Sequence, residues 1–258
     1  MKIAVCLKLV PATTTDIRLA PDEQSLSLAD AEMVVNPYDE YALEAALQIR
    51  EKVADSTILA ISVGGDEALK CLRIAFALGV DSAYHIQHPR LDTRAAARAA
   101  AALLKNIAPD LILCGCQAID DNQCFFPGAL AELLDIPHLT AVAALTITSN
   151  GRSLKCRRRL ADGEQTLDCS LPAVIACDRG LNELRAPMLR NRLAARKKQP
   201  VIQTPVNLGL TDNDLAPALN VTRYMLSPQK TPGKIVAGSP AEAAKELVRL
   251  LTTMNSDQ

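Results

Sequence analysis

Thr57-Ile58-Leu59-Ala60-Ile61-Ser62-Val63-Gly64-Gly65 is the stretch on which the fold turns. The run from Thr57 to Val63 is almost continuously apolar, as a strand buried on both faces must be, and Gly64-Gly65 ends it. Asp66–Leu78 then reads as a helix stopped by Gly79. The same strand-then-helix unit recurs in both directions. Upstream, Ile3–Leu7 is a first apolar run, followed by a polar, turn-rich stretch through Pro11 and Pro21 to Val35. Asn36 then offers an N-cap, Pro37 suits the first helical position, and Asp39 and Glu40 complement the positive helix end. Ala42, Ala45, Ala46, Ile49 and Val53 repeat at helical spacing. Downstream come a strand over Ser82–Ile86, an alanine-rich helix over Thr93–Ile107 and a buried strand over Leu111–Cys114. A turn-rich segment, Gly115–Pro127, leads to a helix over Gly128–Leu134. The expected fold class is α/β, a mostly parallel sheet with helices on both faces.

The character then changes. Leu139–Thr148, Leu154–Leu160 and Gln165–Ser170 read as consecutive antiparallel strands, with turns at Asn150-Gly151 and Asp162-Gly163. Ala173–Ala176 returns as a buried strand, and Leu189–Lys198 as a short basic helix. Pro200–Pro240 is proline-rich with little periodicity, and Pro240–Met254 is an amphipathic helix. So long an extended segment is unusual inside a compact domain and is easier to explain lying on another protein. The division expected is an α/β domain over 1–200 and an extended arm with a C-terminal helix over 201–258.

The formal net charge is −1 and Trp is absent, so neither a basic field nor stacking platforms for nucleic acid are expected. The eight cysteines form no C-x-x-C pair, and His85, His88 and His138 lack zinc-ligand spacing, so no metal is expected. Several cysteines sit inside apolar runs as buried free thiols, which points to the cytoplasm. The apolar N-terminus is short, is interrupted by Lys8 and has no cleavage site, and no segment is long enough to span a bilayer.

Ligands of open parallel sheets bind beyond the carboxyl ends of the strands. The loops after Leu7, at Asn36, at Gly64-Gly65 and over Gly115–Pro127 converge if their strands are neighbours. Their glycines either simply end strands or let the backbone approach a nucleotide. No catalytic constellation is visible. Asp120-Asp121 reads as a turn and helix-cap pair, and Arg157-Arg158-Arg159 on a strand places alternate charges on opposite faces.

Particular segments carry a resemblance. Asn36-Pro37-Tyr38-Asp39-Glu40 with Ala42-Leu43-Glu44-Ala45-Ala46, Leu72–Asp81, Gly115-Cys116-Gln117-Ala118-Ile119-Asp120-Asp121, Leu171–Ala176 and Leu181-Asn182-Glu183-Leu184-Arg185 fall in order along the chain. Together they resemble the beta subunits of electron-transfer flavoproteins, from Met1 to about Pro200 and weakly again over Thr231–Val236. The resemblance implies an adenine nucleotide alpha hydrolase-like fold and a non-catalytic electron carrier. It implies an alpha-subunit partner embraced by the C-terminal arm, with one FAD at the interface.

On the same resemblance, Tyr38 leans on the flavin, and Thr13 falls where a second aromatic is often found. AMP, or a second FAD, is expected against Cys6, Asn36, Val63, Gly64, Ala118 and Asp121. Cys124-Phe125-Phe126-Pro127 stands where the family has polar phosphate-binding residues, which leaves Asn122 and Gln123 as substitutes. Leu189, ringed by Arg190, Arg192 and Arg196, matches the loop that docks dehydrogenase partners, from which electrons pass to an acceptor oxidoreductase. Two alternatives are a stand-alone adenine-nucleotide-binding domain and an accessory subunit that has lost its nucleotide.

Overall fold

The computed structural model describes residues 1–21, 24–89, 91–148, 151–226, 228, 233 and 235–255. In chain order the elements are β1 (Lys2–Cys6), β2 (Leu9–Pro11), β3 (Arg18–Leu19), β4 (Leu26–Ser27), β5 (Met33–Val35), α1 (Pro37–Lys52), β6 (Thr57–Gly64), α2 (Leu69–Leu78), β7 (Ser82–Gln87), α3 (Thr93–Ile107) and β8 (Leu111–Gly115). They continue as α4 (Phe126–Leu134), β9 (His138–Ile147), β10 (Ser153–Leu160), β11 (Gly163–Ser170), β12 (Ala173–Cys177), α5 (Leu189–Ala195), β13 (Val201–Gln203), α6 (Asp212–Leu215) and α7 (Pro240–Asn255).

One sheet runs β11-β10-β9-β12-β8-β1-β6-β7-β13. It is parallel from β9 through β13 and antiparallel across β9, β10 and β11. The mostly parallel α/β architecture expected from the alternating runs is the one observed. Side-chain alternation decides which helices cover which face. Ile3, Val5, Ile58, Ala60, Leu111 and Leu113 pack under α1 and α2, whereas Ala4, Cys6, Leu59, Ile61, Ile112 and Cys114 pack under α3 and α4. Continuous apolar runs follow directly from burial on both sides.

Local signals act where expected. Gly79 ends α2 at φ 105°, and the amide of Val80 donates back to the Ala75 carbonyl, as helix termination at glycine requires. The β9–β10 hairpin forms, with Gly151 at φ 66°; Asn150 lies outside the described residues. Three readings change. The turn-rich stretch before Val35 holds two small antiparallel ladders, β2 with β5 and β3 with β4. The Asp66–Leu78 helix opens as a 3-10 turn over Asp66–Ala68. The extended reading of Pro200–Pro240 needs amending, because Val201–Gln203 pairs with Tyr84–Ile86 as an edge strand and Asp212–Leu215 is helical. Residues 231, 232 and 234, within the weaker resemblance, are outside the described residues.

Strand β8 lies between β1 and β12, so its side chains meet helices on both faces. Leu113 is completely buried there. The substitution Leu113→Ala is expected to lower the unfolding free energy by about 2–5 kcal/mol, read as a fall in urea midpoint with the slope unchanged.

Candidate functional site

Strands β6 and β7 follow β1 to one side of it, and the chain then crosses back to place β8 on the other. Neighbouring loops therefore diverge at the carboxyl ends of β1, β6 and β8, the position where open sheets form a crevice. A cavity of about 300 Å³ occupies it. Its walls include Cys6 from β1, Val63 and Gly64 from β6, Asn36 before α1, and Ala118, Asp121 and Gln123 from the loop after β8. Seven of the expected nucleotide-site residues are thus brought together. Asn122 is not on the wall; its Oδ1 accepts from Gln117 Nε2 at 3.2 Å. Tyr38 faces a second cavity of about 310 Å³, lined also by His138, Thr140, Arg159, Asp178 and Arg179. The two cavities share Cys116, Gln117 and Cys124.

Asp39 holds the first cavity together. It is buried in the first turn of α1 and accepts from the amides of Lys8 at 2.7 Å and Gly115 at 3.0 Å. One carboxylate thereby ties the ends of β1 and β8 to a helix. Burial pushes Asp39 up to about 7, against the lowering effects of its bonds to Lys8, Asn36 and Gly115. Gly115 is obligatory here for space: a Cβ would collide with the Asp39 carboxylate and would lie 2.7 Å from the Tyr38 Cβ. The Lys8 side chain reaches Asp120 at 2.8 Å and Asp121 at 3.1 Å. Burial pulls the Lys8 ammonium down, but the hydrogen bond and charge of Asp120, with Asp121, hold it above its usual value.

Sequence reading missed these roles. Asp39 had the signature of a helix-end charge, and Lys8 sits in an unremarkable post-strand loop. Asp120-Asp121 lies in a turn as expected, with Asp121 Oδ1 accepting from the Gln123 amide at 3.1 Å, and both carboxylates in addition converge on Lys8. Asn36 precedes α1 but makes no side-chain cap. It donates instead to the Gln117 carbonyl at 2.9 Å and accepts from the Ile119 amide at 3.3 Å, fixing the opposite loop. Six cysteines are buried, Cys116 is half-buried and Cys124 is exposed, with no disulfide among the described residues. Burial, and next the Asp178 charge, push the Cys116 thiol up to about 12. Among the described residues no group of three or more His, Cys, Asp or Glu side chains is placed to hold a metal, and no helix is long and apolar enough to cross a membrane.

The docking residues expected from sequence lie apart from both cavities, on α5, which packs against α2. Helix α5 ends at Ala195 and not Lys198. Met188, Leu189 and Leu193 are 61%, 72% and 54% exposed along it. Arg190, Arg192 and Arg196 are exposed beside them, while Ala195 is buried.

Comparison with known proteins decides the family. Residues 25–207 match the electron transfer flavoprotein domain. The chain is 39% identical to the electron transfer flavoprotein subunit beta of Bacillus subtilis (strain 168) over 226 residues, 86% of each chain. It is 33% identical to that of Homo sapiens over 97% of this chain and 96% of the relative. It is 32% identical to that of Syntrophomonas wolfei over 96% of this chain and 94% of the relative. The chain belongs to the electron transfer flavoprotein beta-subunit family. Within this family member, the cavity lining suits a flat apolar ring system, since Cys6, Ile61, Val63, Ala100, Phe125 and Phe126 bound it. It suits a phosphate poorly. Lys8, the one Lys or Arg among the described wall residues, is engaged by Asp120 and Asp121, and Glu67 adds negative charge.

The unfolded chain releases the Asp39 proton near 3.8, whereas the folded chain keeps it to about 7. Stability contributed by that proton is therefore present at low pH and is lost as pH rises through this window. Urea unfolding should show a midpoint that falls between about pH 4 and about pH 7 and then levels off, with the fall attenuated in Asp39→Asn.

Proposed function

We propose that this chain is the beta subunit of a heterodimeric, cytoplasmic electron-transfer flavoprotein, a carrier and not an enzyme in its own right. It joins an alpha subunit, shares an interfacial FAD with it, and passes electrons from a flavin dehydrogenase to an acceptor oxidoreductase. The observation that carries this reading is the match to beta subunits over nearly the whole chain. The surface supports it independently. Met225, Ile235, Val248 and Leu251 are 76%, 92%, 63% and 55% exposed along the C-terminal arm, large apolar side chains that nothing among the described residues covers. An arm over 201–258 that covers an alpha subunit buries them, and this weighs against a stand-alone nucleotide-binding domain.

FAD, when bound, supplies the electron-accepting and electron-donating chemistry. The chain's own residues supply walls, anchors and charge. Tyr38 offers an aromatic face, held by edge-on contact with Tyr41 at 6.2 Å between ring centres. Arg159 donates to Asp178 at 3.3 Å and to the Arg179 carbonyl at 2.7 Å, which stiffens the floor of the cavity beside Tyr38. Leu189 is the apolar anchor for a donor, and Arg190, Arg192 and Arg196 steer an acidic rim toward it.

The first cavity takes the adenine end of AMP or of a second FAD, held by Cys6, Asn36, Val63, Gly64, Ala118 and Asp121. Asn122 shapes the loop through Gln117, and Gln123 adds a side chain at the mouth. The lining by Phe125, Phe126 and Pro127 favours a second reading, an accessory subunit that has lost its nucleotide.

Co-expression with the alpha subunit encoded in the same genome, followed by purification, denaturation and quantification of FAD and AMP, tests the proposal. Stoichiometric FAD is expected. AMP or extra FAD decides for an occupied first cavity, and FAD alone decides for the nucleotide-free reading. A flavin-free chain that ignores the alpha subunit overturns the carrier assignment. In the complex, Leu189→Ala is expected to slow donor-driven flavin reduction by about tenfold or more at low donor concentration, the scale of losing an interface anchor.

A further inference from the structure

The segment between β12 and α5 is irregular, yet it is tied to α1 at several points. Asn182 Nδ2 donates to the Tyr41 carbonyl at 3.0 Å. The Arg185 guanidinium grips Glu44, with Nε at 2.9 Å from Oε2 and Nη2 at 2.7 Å from Oε1, and its amide adds a bond to Oε2 at 3.2 Å. Arg185 Nη1 also reaches Glu51. The Glu44 side chain is 4% exposed, and Gln48 donates to it at 3.1 Å, so this is a buried carboxylate satisfied from both sides. The bonds to Glu44 and Glu51 raise Arg185 above its ordinary value.

Helix α1 is the same helix that carries Tyr38 in its first turn and Asp39 beneath the first cavity. The Tyr38 ring meets the Tyr41 ring, the Tyr41 carbonyl holds Asn182, Glu44 one turn on holds Arg185, and Leu189 follows four residues later. Three residues past the end of α5, Lys198 donates to the Val80 carbonyl at 2.8 Å and lies 5.2 Å from the Phe76 ring centre, pinning the chain that leaves α5 against α2. The exposed Leu189 is therefore presented by a segment whose entry is fastened to one core helix and whose exit is fastened to another.

We infer that Arg185 is a positioning residue: its clamp on Glu44 and Glu51 fixes the donor-docking segment to the helix that carries the flavin-facing tyrosine. The surface that receives the donor and the wall that receives the flavin then move as one body, and the distance between them is held. A bidentate guanidinium suits this task, because its planar fork fixes direction as well as separation. The inference rests on the docking role of α5 proposed above.

The test uses the full alpha–beta complex with its donor dehydrogenase. Arg185→Met and the double variant Glu44→Gln/Arg185→Met are compared with Leu189→Ala. The double variant removes the clamp without leaving a buried carboxylate unpaired. Expected results are a two- to thirtyfold rise, in the range of about 0.5–2 kcal/mol of coupling, in the KM for the complex in donor-driven reduction. Flavin content and the rate of chemical reduction by dithionite should stay at wild-type values. The deficit should persist at high salt, unlike that of Arg190→Gln, which loses only steering. Arg185→Lys should recover part of the loss. A wild-type KM in both clamp variants, beside an impaired Leu189→Ala, overturns the inference and leaves the docking reading standing. Changes confined to urea midpoint or flavin content, with KM unmoved, also overturn it, because they describe a merely structural bridge. A wild-type Leu189→Ala removes the docking reading and this inference with it.

Discussion

A single buried carboxylate organises the cavity-bearing end of this protein. Asp39 sits where three separately made pieces of chain meet: the end of β1, the end of β8 and the start of α1. Backbone amides at strand ends are obligatory donors, and out of reach of water each needs a partner. Asp39 satisfies two of them from one side chain. The requirement for Gly115 opposite it, the approach of Tyr38 and the mouth of the cavity all follow from where that carboxylate lies. Lys8 adds a second tie, from the loop after β1 to the loop after β8, so the cavity is closed around by charge while its interior stays largely apolar.

Helix α1 has an unusual share of responsibility. Its apolar side, from Ala42 to Ile49, covers the centre of the sheet. Its first turn reaches toward both cavities. Its polar residues Glu44 and Glu51 hold the segment leading to α5. Burying the Glu44 carboxylate is costly, because it loses water, and pairing it with the more exposed Arg185 adds little stability over well-packed apolar groups. What such a pair does supply is a fixed relative placement of two chain segments. For the carrier role proposed above, placement is the more useful property.

The parts of the fold legible in the sequence were those governed by nearest-neighbour physics. Apolar runs from Ile3, Thr57, Leu111 and Ala173 became strands buried on both faces, and Gly79 stopped its helix. The parts that were missed depend on residues far apart in the chain. Leu9–Pro11 and Met33–Val35 look like loop until each supplies the other's hydrogen bonds, and Val201–Gln203 becomes a strand only because β7 offers an open edge. The site behaves likewise. The loops that converge could be listed from strand ends alone, and the family resemblance supplied some of the wall residues, such as Cys6, Asn36 and Val63. Asp39, Lys8 and Arg185 gain their roles from partners 31 to 141 residues away, which no local pattern encodes.

Order in space and order along the chain disagree at one strand. Ala173–Cys177 pairs with β8 on one edge and β9 on the other, and both of those strands precede it in the sequence. During synthesis, which proceeds from the N-terminus, the inner parallel strands and the β9–β11 ladder are therefore complete as two separate sheets, each with an open edge facing a gap. Unpaired edges of this kind invite pairing with other chains. The last inner strand is short and wholly buried, and its arrival converts two sticky half-sheets into one. Until Cys177 has been made, β8 and β9 each lack the neighbour that covers this edge, a hazard set by the route of the chain and invisible in the finished molecule.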